Sequence, residues 1–244
     1  MIVPIRRYDS IDSTNEEARR LAETGEFGPL WIVAREQTGG RGRRGRAWIS
    51  QPGNLFATYL TALPEPAGDC AQLSFAAGLA AAETIGHFAA SSHVTLKWPN
   101  DVLLEGCKVA GILLESGNTQ AQRNSRWLAV GIGINLAHFP DHTEFPAISL
   151  AAVTGSAPDP ELALARLGKA WDTWYGAWRE GGFAALRDAW LARAAGLGQR
   201  IGARLAKSLI EGVFVTLDQD GALVLRGPDG ALSRVTAGDV FFPA

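Results

Sequence analysis

Five arginines and four glycines are concentrated in one short stretch of the sequence, residues 35–48 (REQTGGRGRRGRAW). Glycine allows the backbone to adopt positive φ angles and to approach a ligand closely. The arginine guanidinium is permanently charged, and its planar fork matches two oxygens of a carboxylate or a phosphate. A flexible loop of this composition is suited to closing over a small anion. A solvated basic loop without a ligand is the alternative at this point.

The same stretch does not fit the common nucleotide-binding motifs. Gly40 to Gly45 matches G-x-G-x-x-G and follows a predicted strand at Trp31–Ala34. The dinucleotide fingerprint requires a helix to begin there, with its N-terminus on the pyrophosphate. Pro52 and Gly53 follow shortly afterwards, and no Gly-Lys-Ser/Thr is present, so both a Rossmann fingerprint and a P-loop are excluded.

A second stretch, residues 94–116 (VTLKWPNDVLLEGCKVAGILLES), contains two further candidates for chemistry. Lys108 begins an apolar strand. It is therefore either a lysine whose charge reaches solvent from the strand end or a buried, directed cation. Asp101 follows Pro99 and Asn100, where it either caps a turn or acts as an acid–base group.

Composition excludes several classes of protein. The chain has 244 residues, 47% of them hydrophobic, and a net charge of -2, so its basic loop is a local feature of a slightly acidic globular protein. This argues against a general nucleic-acid binder. No apolar run is long enough for a membrane helix, and the start lacks the apolar core of a signal peptide. Cys70 and Cys107 provide neither a disulfide framework nor a metal cluster, so we expect a cytoplasmic protein.

We also expect no metal site of its own. His138 and His142 have the i, i+4 spacing of helical metal ligands, but Pro140 lies between them and would break a helix.

Periodicity predicts the elements that position these residues. Ser13 and Glu16 form a capping-box pattern for a helix that stops at Gly25. A buried alanine-rich helix is predicted at 69–88, a helix with an aromatic core face at 164–178, and a third at Phe183–Ala195. The predicted strands are a short edge strand within residues 1–12, Trp31–Ala34, Asn54–Thr61, Val94–Trp98, Val102–Leu104, Lys108–Glu115 and Trp127–Leu136.

From Gly198 onwards the sequence changes to short strands separated by turns, which predicts a small β-barrel-like module. Strands are predicted around Val213–Leu217, Leu223–Leu225 and Val235. The glycine–aspartate turns between them indicate no chemistry.

Five motifs occur in the order found in biotin protein ligases, and together they identify a resemblance to that family. They are STNEEA, GGRGRRGRAW, KWPNDVLL, KVAGILLE and VGIGINL, within residues 8–150. Thr38-Gly39 departs from the Gln-Ala that is commoner in the family. The resemblance implies an α/β (α+β) catalytic domain with a mixed sheet, similar to lipoate-attaching enzymes, followed by an SH3-like domain. We place these domains at 1–196 and 197–244.

The resemblance also implies an activity. The family forms biotinyl-5′-AMP from biotin and MgATP and then transfers biotin to one lysine of a biotin carboxyl carrier protein. Because a carboxylate attacks a phosphate, cations must bring two anions together. Arg41 and Arg43 would hold the biotin carboxylate and the α-phosphate, and Lys108 would bridge them. Asp101 is the candidate base for the incoming lysine amine.

The remaining binding residues follow from the resemblance alone. The biotin ureido ring would be bound by Ser13, Thr14, Asn15 and Gln37. Gly111, Gly131 and Gly133 would form the pocket wall, Gly40, Gly42 and Trp48 belong to the closing loop, and Asn135 would lie near the adenylate. The loop Ala137–Pro146 would order over the adenine.

Two other functions remain alternatives: a lipoate-type acyl ligase of the same superfamily, or a non-catalytic module that binds anions through the arginine loop. Because the ligase motifs begin at Ser13, we expect no helix-turn-helix module and no specific DNA binding. We expect no membrane partner, and a homodimer remains open.

Overall fold

The structure is a computed structural model that describes residues 3–62, 70–118, 126–141, 143–205 and 208–242. Among these residues, no helix is long and apolar enough to cross a membrane.

A seven-stranded mixed sheet forms the centre of the larger part of the chain. Its strands are β1 (Ile5–Ile11), β2 (Leu30–Gln37), β3 (Leu55–Ala62), β4 (Val94–Lys97), β5 (Asp101–Leu104), β6 (Cys107–Asn118) and β7 (Arg126–Ile134). Their order is β1-β2-β3-β7-β6-β5-β4. β1 pairs in parallel with β2, and the other neighbours are antiparallel. The predicted mixed sheet is confirmed.

The β5–β6 hairpin shows how local sequence determines register. Glu105 and Gly106 both have positive φ, 50° and 77°, which is the backbone of a two-residue type I′ turn. This turn pairs Leu104 with Cys107 and Leu103 with Lys108. A β-bulge between Val102 and Leu103 then shifts the register by one residue, so that Gly111 lies opposite Asp101.

Helices cover both faces of this sheet. They are α1 (Thr14–Glu23), α2 (Leu73–Phe88), α3 (Leu150–Thr154), α4 (Pro160–Gly181) and α5 (Ala184–Leu191). The side chains of α2, α4 and α5 form the main core with one face of the sheet. α1 buries Ala18, Leu21 and Ala22 in a second cluster with β2, β3 and β7. Asp69, the predicted first residue of α2, lies outside the described residues.

The helix predicted at Phe183–Ala195 is too long. α5 ends at Leu191, and the following segment pairs with the sheet edge. The Leu96 N–H donates to the Arg193 carbonyl, and the Ala195 N–H donates to the Leu96 carbonyl. β4 is the edge strand of the sheet, so one side of its backbone has no strand partner. Its backbone groups bond to Arg193 and Ala195 instead, and these bonds replace the ones that would continue the helix.

The C-terminal segment forms a five-stranded antiparallel sheet. Its strands are β8 (Arg200–Arg204), β9 (Leu209–Leu217), β10 (Leu223–Arg226), β11 (Leu232–Val235) and β12 (Asp239–Phe241), in the order β11-β10-β9-β8-β12. Closure into a barrel remains a prediction. The sheet packs against the larger part of the chain, since Leu217 and Leu223 join the main core and the Trp98 indole N–H donates to the Gly221 carbonyl.

Trp171 lies at the centre of an aromatic cluster on α4 and is fully buried. Its ring packs against Trp31, Tyr59 and Tyr175 at centroid distances of 6.3, 5.1 and 5.2 Å. Burial in this cluster raises the pKa of Tyr59 to about 12.

Replacing Trp171 with alanine should therefore lower the free energy of unfolding by about 3–5 kcal/mol, because a large cavity remains. Denaturant unfolding measures this loss. Leu162→Ala on the exposed face of the same helix is the matched control, with an expected change within about 0.5 kcal/mol. Equal losses for both variants would contradict the assignment of this face to the core.

Candidate active site

A cavity of about 250 Å³ lies between the arginine loop, β6, β7 and the C-terminal sheet. All but one of the predicted site residues line it. They are Ser13, Thr14, Asn15, Gln37, Arg41, Gly42, Arg43, Trp48, Asp101, Lys108, Gly111, Gly131, Gly133 and Asn135. Residues far apart in sequence thus share one chamber. Lys97 and Lys108 lie beside Asp101, and Arg43 contacts the neighbouring Asn100, at what we call the cationic end. Neutral polar residues at the N-terminus of α1 form what we call the neutral end, which Arg41 borders through Glu115.

Gly40 is the site residue that does not line the cavity. A Cβ atom built there would lie 2.4 Å from the Ser50 hydroxyl and 2.5 Å from the Trp48 carbonyl. The Trp48 N–H also donates to the Gly40 carbonyl. Gly40 therefore allows the two arms of the loop to come together, which is an indirect contribution to the site.

The arginine loop connects β2 to β3 and has a defined shape. Arg41 and Ala47 form an isolated antiparallel bridge, and the Gly42 N–H donates to the Arg46 carbonyl at 2.7 Å. Between them, Arg43–Gly45 form a single 3-10 turn. Arg44 has φ = 57°, an unusual conformation for a residue with a side chain, and Gly45 follows at 72°. Arg41 precedes this turn, whereas Arg43 and Arg44 lie within it and Arg46 follows it directly.

Arg41 is held by two carboxylates. Its guanidinium lies 2.8 Å from Glu16 and 3.5 Å from Glu115. The capping box predicted for Ser13 and Glu16 is consequently wrong: Ser13 is the N-cap residue, but its side chain makes no capping bond, and the Glu16 carboxylate turns to arginines. The buried Ser13 hydroxyl faces the cavity instead.

The other loop arginines converge on Asp239, the first residue of β12. The Asp239 carboxylate lies 2.9 Å from Arg44, 2.7 Å from Arg46 and 4.0 Å from Arg43. Arg43 also donates to the Asn100 side-chain carbonyl at 3.0 Å. Burial lowers the pKa of Arg43, and the charge of Asp239 opposes that shift.

Asp239 belongs to one of the glycine–aspartate turns for which we expected no chemistry, and it lines the cavity as the partner of these arginines. Sequence reasoning missed it because the pairing spans nearly the whole chain.

Asp101 lies between two lysines. Its Oδ1 atom is 2.5 Å from the Lys108 ammonium, and its Oδ2 atom is 3.6 Å from the Lys97 ammonium. Asp101 begins β5, and among the described residues no backbone N–H donates to its carboxylate, so the turn-cap interpretation is wrong. Lys108 lines the cavity and contacts Asp101. Two alternatives were considered for it, a lysine whose charge reaches solvent and a directed cation, and these contacts favour the directed cation.

Lys97 was missed by sequence reasoning, although it occupies the same kind of position as Lys108, at the end of an apolar strand. It is 5% exposed, and its ammonium lies 3.6 Å from the centroid of the Phe145 ring. Burial lowers the pKa of Lys97, and the charge of Asp101 partly opposes the shift.

Three glycines on β6 and β7 make room for the wall of the cavity. A Cβ atom on Gly133 would lie 2.6 Å from the Trp48 indole nitrogen, and one on Gly111 would lie 3.0 Å from the same ring. Trp48 therefore packs directly against the backbone of β6 and β7, where side chains are absent. On Gly131 a Cβ would lie 2.3 Å from the Asn15 side-chain oxygen. Side chains at these positions would displace the groups that shape the cavity.

Buried polar side chains at the N-terminus of α1 form a connected network at the neutral end. The Gln37 side-chain oxygen accepts from the Thr14 N–H at 2.8 Å, and its amide donates to the Ser50 hydroxyl. Asn15 donates to Glu115, and the Thr58 hydroxyl lies 2.7 Å from the Asn15 oxygen. Thr58 was not predicted as part of the site, although a threonine in the apolar run of β3 was the available signal.

Asn135 anchors the segment that follows β7. Its side-chain amide donates to the Ile148 carbonyl at 3.1 Å, and its N–H donates to the Val109 carbonyl. Asn54 fixes the start of the same segment by accepting from the N–H groups of Ala137 and His138. His142 lies outside the described residues, and among those described no cluster of three or more His, Cys, Asp or Glu side chains could hold a metal.

The chain matches the model of the Biotin/lipoate A/B protein ligase family over residues 8–135 and that of the Biotin protein ligase C terminal domain over residues 196–242. It is 45% identical over 237 residues to a biotin--[acetyl-CoA-carboxylase] ligase from Paracoccus denitrificans, covering 95% of this chain and 97% of that protein. The chain belongs to the biotin protein ligase family. The resemblance in its motifs is confirmed.

Other biotin protein ligases agree in both sequence and fold. A bifunctional ligase/repressor BirA from Bacillus spizizenii is 32% identical over 95% of this chain and 72% of its own length. The structure of the Aquifex aeolicus biotin protein ligase in complex with biotin and ATP superposes with a TM-score of 0.82 at 28% identity, covering 98% of this chain and 97% of that one.

The Asp239 contacts of this ligase lead to a prediction about the arginine loop. Asp239→Asn removes the carboxylate shared by Arg44 and Arg46, which are about half exposed, so we expect a loss of roughly 1 kcal/mol of local stability. Trypsin should then cleave the free protein within residues 41–46 about fivefold faster.

Asp229→Asn, in an exposed turn of the same C-terminal sheet, is the control and should leave the cleavage rate unchanged. Equal cleavage rates of Asp239→Asn and the unsubstituted protein would show that the ion pairs do not hold the loop.

Proposed function

We propose that this biotin protein ligase forms biotinyl-5′-AMP and pyrophosphate from biotin and MgATP, and then transfers biotin to a lysine of a biotin carboxyl carrier protein. The observation that carries the proposal is the polarity of the cavity. Its neutral end presents hydroxyl and amide groups beside the Arg41–Glu115 ion pair. Along the wall, Gly131 adjoins Asn15, Gly133 adjoins the Trp48 indole, and Gly111 adjoins both that indole and Lys108. The cationic end holds Lys97 and Lys108 beside Asp101. Biotin has the same sequence of features: a neutral ureido ring, an apolar chain and a carboxylate.

In the first step, the biotin carboxylate attacks the α-phosphorus of ATP, and the bond to pyrophosphate breaks. Both reactants are anionic, so the residues of the cationic end lower the barrier mainly by neutralising charge in a water-poor site. We assign Arg43 and Lys108 to the α-phosphate and the carboxylate, because both are partly buried and face the cavity. Arg41 supports them from the loop, with Glu16 and Glu115 fixing its position.

The ureido ring is assigned to the neutral end. Ser13, Thr14, Asn15 and Gln37 offer both donors and acceptors there, and the Ser13 hydroxyl has no capping bond to give up. The wall of Gly111, Gly131 and Gly133 would contact the rings and chain of biotin. Gly42 and Trp48 would cover the ligand, while Gly40 allows the loop to fold back on itself.

Asn135 and the segment from Ala137 to Pro146 are assigned to the adenylate side. Pro140, Thr143, Glu144 and Phe145 line the cavity there. Mg²⁺ is proposed to enter with ATP as part of the substrate, held mainly by phosphate oxygens and water, since Mg²⁺ commonly binds in this way.

In the second step, the carrier lysine attacks the acyl carbon of biotinyl-5′-AMP, and AMP leaves. Its ammonium must first lose a proton, and we propose Asp101 as the acceptor because it is a carboxylate within the same cavity.

Several broader predictions accompany this function. The matched family models support a division into domains at 1–196 and 197–244. A cytoplasmic location, the absence of specific DNA binding and the oligomeric state stay predictions from the sequence. Because the relatives reported above are biotin ligases, they favour biotin over the lipoyl alternative.

Incubation with biotin, MgATP and a biotin carboxyl carrier domain tests the proposal directly. Intact-mass measurement should show that the carrier gains one biotinyl group. A parallel incubation with lipoic acid should leave the carrier mass unchanged. No gain with biotin, or an equal gain with lipoic acid, would contradict the proposed substrate.

Lys108→Ala should slow pyrophosphate release by about 10²–10³-fold, since one directed cation is removed from the reacting charges. Lys169→Ala, an exposed lysine of α4, is the matched control and should release pyrophosphate at the unsubstituted rate. Near-normal release from Lys108→Ala would remove Lys108 from the mechanism.

A further inference from the structure

The two lysines beside Asp101 occupy different environments. Lys108 on β6 contacts one carboxylate oxygen at 2.5 Å, and its side chain is 27% exposed and lines the cavity. Lys97 on β4 lies near the other oxygen at 3.6 Å, and its side chain is 6% exposed. One carboxylate thus has a cation that can turn towards a ligand and another that is enclosed.

The enclosed cation is fixed by the sheet itself. Lys97 and Asp101 are direct partners in the antiparallel pairing of β4 with β5, which places their side chains on the same face at close range. The Phe145 ring covers the ammonium from the other side at 3.6 Å, a favourable cation–π arrangement. Burying an ammonium costs free energy even when a carboxylate is its partner, because both ions lose water. The enclosed position of Lys97 beside Asp101 therefore needs an explanation.

The two proposed half-reactions provide an explanation for the enclosed position of Lys97. When biotinyl-5′-AMP is present, the proposed mechanism has the Lys108 ammonium contact its phosphate. Lys108 then interacts with two anions, the phosphate and the Asp101 carboxylate. The Asp101 carboxylate would then lose its closest partner just when it must receive a proton. Arg43 and Asp239 also face this region, but Arg43 is assigned to the reactants like Lys108, and Asp239 is paired most closely with Arg44 and Arg46.

We propose that Lys97 is a positioning residue for the transfer step: its enclosed ammonium holds the Asp101 carboxylate in place once Lys108 has turned to the adenylate. This inference rests on the proposed ligase function. Lys97 itself forms no bond to the reactants in this scheme and acts through Asp101.

The transfer step that depends on Lys97 begins with a proton transfer. The ammonium of the carrier lysine gives one proton to the Asp101 carboxylate. The resulting amine forms a C–N bond to the acyl carbon, the bond from that carbon to the AMP phosphate oxygen breaks, and AMP carries away the electron pair. The amide nitrogen loses its second proton to solvent.

The test measures the two half-reactions separately in the full chain. Pyrophosphate release reports adenylate formation, and single-turnover transfer from preformed biotinyl-5′-AMP to a carrier domain reports the second step. Lys97→Met keeps the apolar stem without the charge, Lys97→Arg keeps the charge, and Lys169→Met is the surface control. Stabilisation of each variant by biotin in thermal unfolding verifies that the cavity is intact.

Lys97→Met should slow transfer by about 10- to 100-fold, while adenylate formation falls by no more than about threefold. Lys97→Arg should transfer faster than Lys97→Met, because charge and not shape is the required property. Transfer by Lys97→Met at the unsubstituted rate, an equal or greater loss in adenylate formation, or no advantage of Lys97→Arg would each overturn the proposal.

A double-mutant cycle tests whether Lys97 acts through Asp101. In an Asp101→Asn background, Lys97→Met should have little further effect on transfer. A full additional loss in that background would overturn the positioning role. If the unsubstituted protein fails to biotinylate the carrier, the proposed function fails; if it succeeds and the variants behave alike, only the role of Lys97 fails.

Discussion

The constraint on which the rest of this structure depends is the concentration of positive charge around one small cavity. Arg41, Arg43, Lys97 and Lys108 all line it, and like charges held close together repel strongly where water is scarce. The fold meets this constraint by giving the cations nearby carboxylates. Arg41 has Glu16 and Glu115, both lysines have Asp101, and Arg43 shares Asp239 with Arg44 and Arg46.

These carboxylates come from distant parts of the chain, and this explains much of the architecture. Glu16 lies on α1, Asp101 at the start of β5, and Asp239 at the start of β12. The strands hold their charges rigidly, whereas the arginines lie on a loop that closes between β2 and β3. The C-terminal sheet therefore contributes to the site through Asp239, and its packing against the Trp98 side of the cavity fixes that residue relative to the loop.

Sequence patterns predicted the elements of the larger sheet well, because local chemistry determines them. The turn at Glu105-Gly106 explains where the β5–β6 hairpin reverses, whereas the β-bulge between Val102 and Leu103 was not predicted from the sequence. Motif resemblance brought the residues of the cavity together, but it did not reveal their partners. Glu16 fits a capping box by spacing alone, and only the folded chain shows that the arginine loop reaches it. Asp239 and Lys97 were missed for the same reason, since long-range ion pairs leave no periodic signal.

The charge pairing in the site also bears on how substrates bind. An incoming carboxylate or phosphate does not meet bare cations; it must compete with carboxylates that already neutralise them. Exchange of one anion for another costs less desolvation than the pairing of two hydrated ions, because Arg43 and Lys108 are already partly buried. An anion gains most by such exchange if it reaches several cations at once. Biotin and ATP together, and the adenylate formed from them, could do this more effectively than either substrate alone. A site arranged in this way therefore favours the intermediate over its precursors, and this would help to retain biotinyl-5′-AMP until a carrier lysine arrives.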